Sequence, residues 1–178
     1  MRRRLLPRVP RRGCGRVSRD LLEGFALKTV FVSGVFDLLT PGHVEFLRWA
    51  RSLGDRLLVS VGADETVAAF KRRPMQCEQD RRIVLSALRS VDYAVIAPVE
   101  TERPWADCLP LIEEWKPQLW ALGPDDPRED EKRIWAMARG IVAVKQDAPK
   151  PYSTTALIER AREENLTPVW PIRSGALA

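Results

Sequence analysis

The chain has 178 residues, of which 45% are hydrophobic and 30% charged, and this length and composition are typical of one soluble globular domain. No stretch approaches the ~20 consecutive apolar residues of a membrane-spanning helix, so we expect no membrane span. Three widely separated cysteines and a single histidine exclude a disulfide framework, a His-rich metal site and any mechanism that needs two histidines. We therefore expect a cytoplasmic protein with reduced thiols.

The net charge of +5 comes from the amino-terminal segment. Residues 1–19 contain eight arginines and no acidic residue, and the rest of the chain has 21 basic against 24 acidic residues. Such a segment could contact nucleic acid or a membrane surface, or be a disordered extension of the domain. We predict a basic, disordered extension over residues 1–24, one domain over residues 25–164 and an irregular extension over residues 165–178, and we expect no nucleic-acid partner.

The predicted elements alternate between strands and helices along the domain. In chain order they are strand Thr29–Val35, helix Pro41–Leu53, strand Arg56–Val61, helix Glu78–Leu88, strand Tyr93–Ala97, helix Ala106–Trp115, strand Gln118–Leu122, helix Glu129–Ala138, strand Ile141–Val144 and a last helix from about Thr154 to Glu164. Short apolar runs that alternate with helices are typical of parallel strands covered on both faces. The pattern predicts a single α/β domain with a Rossmann-like, doubly wound parallel sheet of about five strands.

The first loop and helix predict a phosphate site. Thr40 is a good N-cap and Pro41 a good first helical residue, so Gly42 and His43 fall in the first turn. Backbone N–H groups and the positive end of the helix dipole favour an anion there, and a glycine lets a phosphate approach the backbone. Taken singly, Thr40 could be only a cap and His43 only a surface residue. Their combination directly after a strand favours a phosphate site.

Several segments together resemble one known family. Gly34–His43 reads GVFDLLTPGH and resembles the GxFDxxHxGH signature of the cytidylyltransferase-like nucleotidylyltransferases. Lys71–Pro74 is similar to the KxRP loop of that family, Arg81 begins a segment similar to its RxxxL…VD stretch, and Ser153–Ile158 is similar to its STTxLI motif. The resemblance covers residues 29–161. Members of the family include glycerol-3-phosphate cytidylyltransferase, heptose-1-phosphate adenylyltransferase and archaeal-type FAD synthetase.

The resemblance implies an enzyme that transfers a nucleoside monophosphate from CTP or ATP to a phosphorylated small molecule, such as glycerol-3-phosphate or a sugar 1-phosphate, and releases pyrophosphate. FAD synthesis is a third option. It implies Mg²⁺ as the cofactor, a nucleoside triphosphate and a phosphorylated acceptor as ligands, and a homodimer. Thr40 replaces the first histidine of the signature, and Pro124 interrupts a loop that relatives use against the acceptor. These two departures motivate the alternative of a catalytically impaired, nucleotide-binding regulatory module of the same fold.

The resemblance also assigns roles to individual residues. It places catalysis on His43, Thr40 and Lys71, with His43 stabilising charge on the leaving group and Lys71 closing over the phosphates. The residues that it implies for nucleotide binding are Gly34, Phe36, Gly42, His43, Arg81, Gly123, Ser153, Thr154 and Thr155. The residues that it implies for acceptor binding are Asp37, Asp64, Asp125 and Asp126. No protein side chain is assigned as a metal ligand, and Asp37 could either contribute to the Mg²⁺ site or be a loop residue bonded to backbone. We expect the openings of the first and last helices, at Pro41–His43 and Ser153–Thr154, to converge on one polyphosphate.

Overall fold

The fold is seen in a computed structural model that describes residues 27–103, 105–148 and 158–160. The strands are β1 (Thr29–Gly34), β2 (Arg56–Val61), β3 (Tyr93–Ile96), β4 (Leu119–Leu122) and β5 (Val142–Lys145). The helices are α1 (Pro41–Ser52), α2 (Asp64–Phe70), α3 (Glu78–Ser86), α4 (Leu109–Trp115) and α5 (Glu129–Met137). Residues 158–160 are also helical, and the remainder of the predicted last helix lies outside the described residues.

The five strands form one parallel sheet in the order β3-β2-β1-β4-β5. β1 pairs with β2 from Thr29 against Arg56 to Gly34 against Val61. The predicted doubly wound, Rossmann-like parallel sheet in a single domain is therefore confirmed.

A hydrophobic core covers each face of the sheet. On one face, Val30 and Val32 of β1 pack with Leu47 of α1 and Leu85 of α3. On the other face, alternate residues such as Phe31 and Trp120 pack with α4 and α5; the members are Phe31, Leu58, Ala97, Cys108, Leu111, Ile112, Trp120, Leu122, Ala136 and Ile141. Because successive side chains of a strand point to opposite faces, the continuous apolar runs of the sequence are buried on both sides.

The structure corrects two of the predicted elements. Residues 64–70, where no element was predicted between strand Arg56–Val61 and helix Glu78–Leu88, form α2, whose first turn carries the acidic residues Asp64 and Glu65. The single helix predicted over Ala106–Trp115 is a 3₁₀ turn, Ala106–Cys108, followed by α4. Pro110 lies in the first turn of α4, where a residue without an N–H group is tolerated.

Candidate active site

A crevice is expected at the carboxyl edge of the sheet between β1 and β4, which are neighbours although β2 and β3 separate them in the sequence. β1 continues into α1 on one face, and β4 continues into α5 on the other. Open α/β sheets bind ligands at such a switch point, because the two loops diverge there and leave a gap. The loops that border it are residues 35–40 after β1, the β1 exit, and residues 123–128 after β4, the β4 exit.

Helix α1 opens at the β1 exit with reciprocal hydrogen bonds between its cap and its first turn. The Oγ1 of Thr40 accepts a hydrogen bond from the backbone N–H of His43 at 3.4 Å, and the backbone N–H of Thr40 donates to Nδ1 of His43 at 3.0 Å. Thr40 is 3% exposed, so this cap is shielded from water. The capping box ties the imidazole ring to the start of the helix.

The capping box also fixes the tautomer of His43. A backbone N–H can only donate, so Nδ1 must accept, and the proton of the neutral ring lies on Nε2. The ring of Phe36 meets the His43 ring edge-on, with centroids 5.8 Å apart. His43 therefore offers an N–H donor at the positive end of a 12-residue helix.

Asp37 lies in a tight turn at the β1 exit. Its neighbours Phe36 and Leu38 have φ angles of 54° and 58°, which residues other than glycine adopt at a cost of roughly 1–2 kcal/mol each. The turn directs the Asp37 carboxylate inward, where it is 7% exposed. There it accepts hydrogen bonds from the backbone N–H groups of Met75 and Gln76 at 3.1 Å and pairs with Arg72 at 2.8 Å.

These contacts decide the charge of Asp37. Burial alone would raise the pKa of its carboxyl, but the N–H groups of Met75 and Gln76 and the guanidinium of Arg72 outweigh it, so the pKa lies below the ordinary value. The carboxylate is thus an anchor for the loop that follows α2. Lys71 begins this loop and is exposed, next to the anchored Arg72.

The β4 exit combines an open glycine with a buried ion pair. Among the described residues other than its chain neighbours, none has an atom within 4 Å of the position that a Cβ on Gly123 would take, so these residues leave the backbone accessible there. The Nζ of Lys132 contacts Oδ2 of Asp126 at 2.7 Å and lies 5.6 Å from the centre of the Trp120 ring. Lys132 is only 6% exposed, and Oδ1 of Asp126 accepts the N–H of Arg128 at 3.0 Å. This pair holds the β4 exit against α5.

Two further titratable groups lie near the carboxyl edge. Oδ2 of Asp107 is 3.5 Å from the position of a Cβ on Gly62, directly after β2, and burial raises the pKa of Asp107. Burial, reinforced by the charge of Asp107, raises the pKa of the Cys108 thiol to about 12. Cys108 is therefore protonated at neutral pH and does not supply a thiolate nucleophile.

The family model described as Cytidylyltransferase-like matches residues 31–160. The chain belongs to the cytidylyltransferase-like family. It is 38% identical over 144 residues to the FAD synthase of Pyrococcus horikoshii, which covers 75% of this chain and 92% of that enzyme. It is 36% identical over 143 residues to the bifunctional protein HldE of Cronobacter sakazakii, covering 78% of this chain but 28% of HldE.

A solved structure supports the same assignment. The lipopolysaccharide core biosynthesis protein of Thermoplasma volcanium superposes with a TM-score of 0.59 at 28% identity, covering 69% of this chain and 98% of that one. The resemblance drawn from the sequence motifs is therefore confirmed. The chain is a nucleotide-binding nucleotidyltransferase of the cytidylyltransferase-like family.

The family fold brings two groups of predicted residues to the same switch point. The first group lies at the β1 exit and the start of α1, and its members are Gly34, Phe36, Asp37, Thr40, Gly42 and His43. The second lies at the β4 exit, and its members are Gly123, Asp125 and Asp126. Ser153, Thr154 and Thr155 lie outside the described residues, so their predicted convergence with His43 stays a prediction.

Arg81 is placed differently from the prediction of a phosphate ligand at the start of its helix. It is 1% exposed, and Nε donates to the carbonyl of Gln76 while Nη1 donates to that of Val35. Nη2 donates to the carbonyl of Gly62 and pairs with Asp64. Four of the five N–H groups of the guanidinium are thereby used inside the protein. The Arg81 guanidinium therefore connects the residues that follow β1 and β2 with the loop that begins at Lys71.

Three other predicted residues have structural partners that the sequence did not indicate. Asp64 is the first residue of α2; its backbone N–H donates to Oε2 of Glu78 at 2.8 Å, and the backbone N–H of Glu78 donates to Oδ2 of Asp64 at 3.2 Å. A Cβ on Gly34 would come within 2.9 Å of the Phe36 ring, so the absence of a side chain makes room for that ring. Phe36 itself is 6% exposed.

A metal site was not predicted from the protein side chains. Within the described ranges, no group of three or more His, Cys, Asp or Glu residues could hold a metal ion. The Asp37 carboxylate, considered as a contributor, is committed to the Lys71 loop. Across the same residues, the structure has no helix long and apolar enough to cross a membrane.

Sequence reasoning missed several residues at the switch point. Arg72 could have been identified from the sequence, because it lies in the KxRP-like segment beside Lys71. Lys132 could not have been identified in this way, because its ion pair with Asp126 and its burial depend on the packing of α5. Trp120, in β4 just before Gly123, is completely buried, whereas Trp105 and Trp135 line a nearby cavity.

Proposed function

We propose that this nucleotidyltransferase transfers a nucleoside monophosphate from ATP or CTP to the phosphate of a phosphorylated small molecule and releases pyrophosphate. The observation that carries the proposal is the capped start of α1, where the Nε2–H donor of His43 lies at a helix N-terminus beside the switch point.

The reaction needs no covalent intermediate on the protein. An oxygen of the acceptor phosphate, ionised near neutral pH, attacks the α-phosphorus of the triphosphate. The bond between the α-phosphorus and the oxygen bridging to the β-phosphorus breaks, and that oxygen leaves with pyrophosphate. Positioning and neutralisation of charge are therefore the main tasks of the enzyme. A buried, protonated Cys108 agrees with this scheme.

Three elements supply the charge complementarity in this proposal. The backbone N–H of Gly42, in the first turn of α1, and Nε2–H of His43 bind triphosphate oxygens and stabilise the leaving pyrophosphate. Lys71 closes over the phosphates from a loop that Asp37 anchors through Arg72. Mg²⁺, bound mainly by the triphosphate, neutralises further charge. Ser153 and Thr154, which lie outside the described residues, stay predicted donors to the same phosphates.

The similarity to FAD synthase favours ATP as the nucleotide, since FAD contains an AMP unit joined to flavin mononucleotide. Flavin mononucleotide, the acceptor in FAD synthesis, therefore stands beside glycerol-3-phosphate and sugar 1-phosphates among the candidate acceptors. The impaired regulatory module loses its main motivation, because Thr40 makes the helix cap and positions His43. The threonine is thus part of the site rather than a missing group.

A pyrophosphate-release assay tests the proposal. The full chain with Mg²⁺ is supplied with ATP or CTP in combination with flavin mononucleotide, glycerol-3-phosphate or a sugar 1-phosphate. We expect turnover with one pairing and a loss of about 10²–10³ in kcat for His43→Ala, the scale of removing one transition-state hydrogen-bond donor. Glu45→Ala, an exposed change on the same helix, is the matched control. Equal activity of His43→Ala and Glu45→Ala would contradict the proposed role.

A further inference from the structure

A cavity of about 290 Å³ lies between the 3₁₀ turn before α4 and helix α5, on the face of the sheet opposite α1. Its lining combines two indole rings, two guanidinium groups and one carboxylate with small apolar surface; the residues are Arg103, Trp105, Ala106, Leu109, Arg128, Glu131 and Trp135. Its volume is just below the ~300–1,000 Å³ of typical small-molecule sites. This tryptophan cavity therefore suits one ring system and not a whole dinucleotide.

The two indole rings of the cavity are held in place. The Nε1 of Trp105 donates to Oε2 of Glu131 at 3.0 Å, and the Trp105 ring lies 6.0 Å from that of the buried Trp120. Trp135 meets Trp120 edge-on at 6.1 Å, and the guanidinium of Arg139 lies 3.8 Å from the centre of the Trp135 ring. Rings that are fixed before binding lose little conformational entropy when a ligand packs on them.

Trp105 is held at a conformational cost. Its φ angle is 71°, in the left-handed region that a bulky residue rarely adopts. Such strain persists where the surroundings enforce it and is concentrated at ligand sites. The strained residue here is one wall of the cavity.

The polar groups of the lining favour a flat aromatic ligand over a polyhydroxylated one. Glu131 accepts from both Trp105 and Arg128, the latter at 2.7 Å, so its carboxylate and the indole N–H are mutually satisfied. A sugar would require several additional hydrogen-bond partners to offset the loss of its hydration. Indole faces and guanidinium planes stack on flat conjugated rings.

The tryptophan cavity adjoins the switch point through a shared loop. Arg128, in its lining, ends the β4 exit, and its backbone N–H donates to Asp126, which pairs with Lys132. A ligand whose ring fills the cavity can therefore extend a phosphate along residues 123–128 towards the crevice. Two arginines against one glutamate give the lining a net positive charge that suits an anionic ligand.

We propose that the tryptophan cavity binds the planar aromatic ring of the phosphorylated acceptor, and that this acceptor is a flavin mononucleotide. This assignment rests on the proposed function, because it supplies the acceptor of that reaction. In the complex, the isoalloxazine ring packs between Trp105 and Trp135, and its phosphate group reaches the β4 exit.

Ligand binding without turnover tests the assignment. Flavin fluorescence is titrated with the full chain in the absence of a nucleoside triphosphate, using flavin mononucleotide and riboflavin, which has the ring but no phosphate. We expect both to bind with quenching, and glycerol-3-phosphate and ATP not to displace riboflavin. Trp105→Leu and Trp135→Leu should each weaken riboflavin binding about tenfold, the scale of one lost stacking contact. Trp49→Leu, which removes an indole stacked on Phe46 on the other face, should leave binding unchanged.

Several results would overturn the assignment. They are no flavin binding to the unmodified chain, displacement of riboflavin by ATP, which would make the cavity a nucleobase site, or equal weakening by Trp49→Leu and Trp135→Leu. The comparison of ligands on the unmodified chain stands even where a variant fails to fold. Flavin binding at the cavity without pyrophosphate release from ATP and flavin mononucleotide would support the cavity assignment and count against the proposed reaction alone.

Discussion

The two sides of the switch point are built in different ways. At the β1 exit, residues within one short segment determine the geometry, since Thr40 caps the helix that carries His43 and Phe36 packs against both Gly34 and His43. At the β4 exit, the arrangement depends on residues from separate elements. Lys132 of α5 pairs with Asp126, and Trp105 reaches Glu131 across 26 positions of sequence.

This difference suggests that the β1 exit binds phosphates, which all nucleoside triphosphates share, and that the β4 exit determines which acceptor is bound. A locally coded helix start can bind the phosphates that every nucleoside triphosphate shares. A surface assembled from several elements can change shape through substitutions in any of them, so it is suited to distinguish one acceptor from another. The Asp37 anchor qualifies the contrast, because it joins the β1 exit to the Lys71 loop across 38 positions.

The substitution with the largest expected effect tests whether the β1 exit also depends on contacts with residues distant in sequence. Arg81→Leu leaves the carbonyls of Val35, Gln76 and Gly62 without their donors and Asp64 without its partner. We expect a loss of about 3 kcal/mol in the free energy of unfolding, measured by urea denaturation. Arg82→Leu, the next residue on the same helix, should cost less than about 0.5 kcal/mol. Equal losses for the two variants would show that the buried guanidinium network does not support the site.

The Asp37 anchor makes a pH-dependent prediction. Because the pKa of Asp37 is lowered in the folded state, its charge stabilises the fold above the unfolded pKa of ~3.9, and this contribution is lost as the pH falls through the lower, folded pKa. Asp37→Asn should therefore reduce the free energy of unfolding by about 1–3 kcal/mol at pH 7. The difference from the unmodified chain should shrink below pH ~4.

The same variant tests whether Asp37 holds the Lys71 loop. Trypsin should cleave after Lys71 or Arg72 faster in Asp37→Asn than in the unmodified chain, because the loop loses its ion pair with Arg72. Asp130→Asn, an exposed change in α5, serves as the control. A stability difference that does not vary with pH, together with unchanged cleavage, would contradict the anchor.

The smallest expected effect concerns the local cap. Thr40→Val removes the hydroxyl at almost constant volume and should cost about 1 kcal/mol, whereas Thr40→Ser keeps the cap and should cost a few tenths. Thermal unfolding of the two variants measures the difference. Thr40→His, which restores the first histidine of the signature, should not raise kcat if the threonine cap is a complete substitute. A large gain in kcat would instead support the alternative of a catalytically impaired regulatory module.

The sequence predicted the sheet, the start of α1 and the family because their signals are local. Apolar runs identify buried strands, and Thr40-Pro41 identifies a helix start within a few residues. α2 was missed because its seven residues follow directly on a strand and precede a basic run.

The pairings at the switch point could not be predicted in the same way. The burial of Arg81 requires the carbonyls of three separate segments to lie close together, and no periodic pattern of apolar and polar residues in the sequence indicates such an arrangement. The cavity lined by Trp105 and Trp135 could not be predicted for a similar reason. Trp120 lies in the strand next to the β4 exit but points into the core, while Trp105 and Trp135 are distant in sequence and line one cavity.

The central claim is that the lone histidine presents Nε2–H to the triphosphate while Nδ1 accepts from the cap. Because the chain contains one histidine, ¹⁵N NMR of the untagged protein reports this ring without ambiguity. We predict an unprotonated Nδ1 and a protonated Nε2 at pH 7.5, with a change in the Nε2 and Hε2 shifts when ATP and Mg²⁺ are added. A protonated Nδ1 in the free protein, or a spectrum unaltered by saturating nucleotide, would contradict the account.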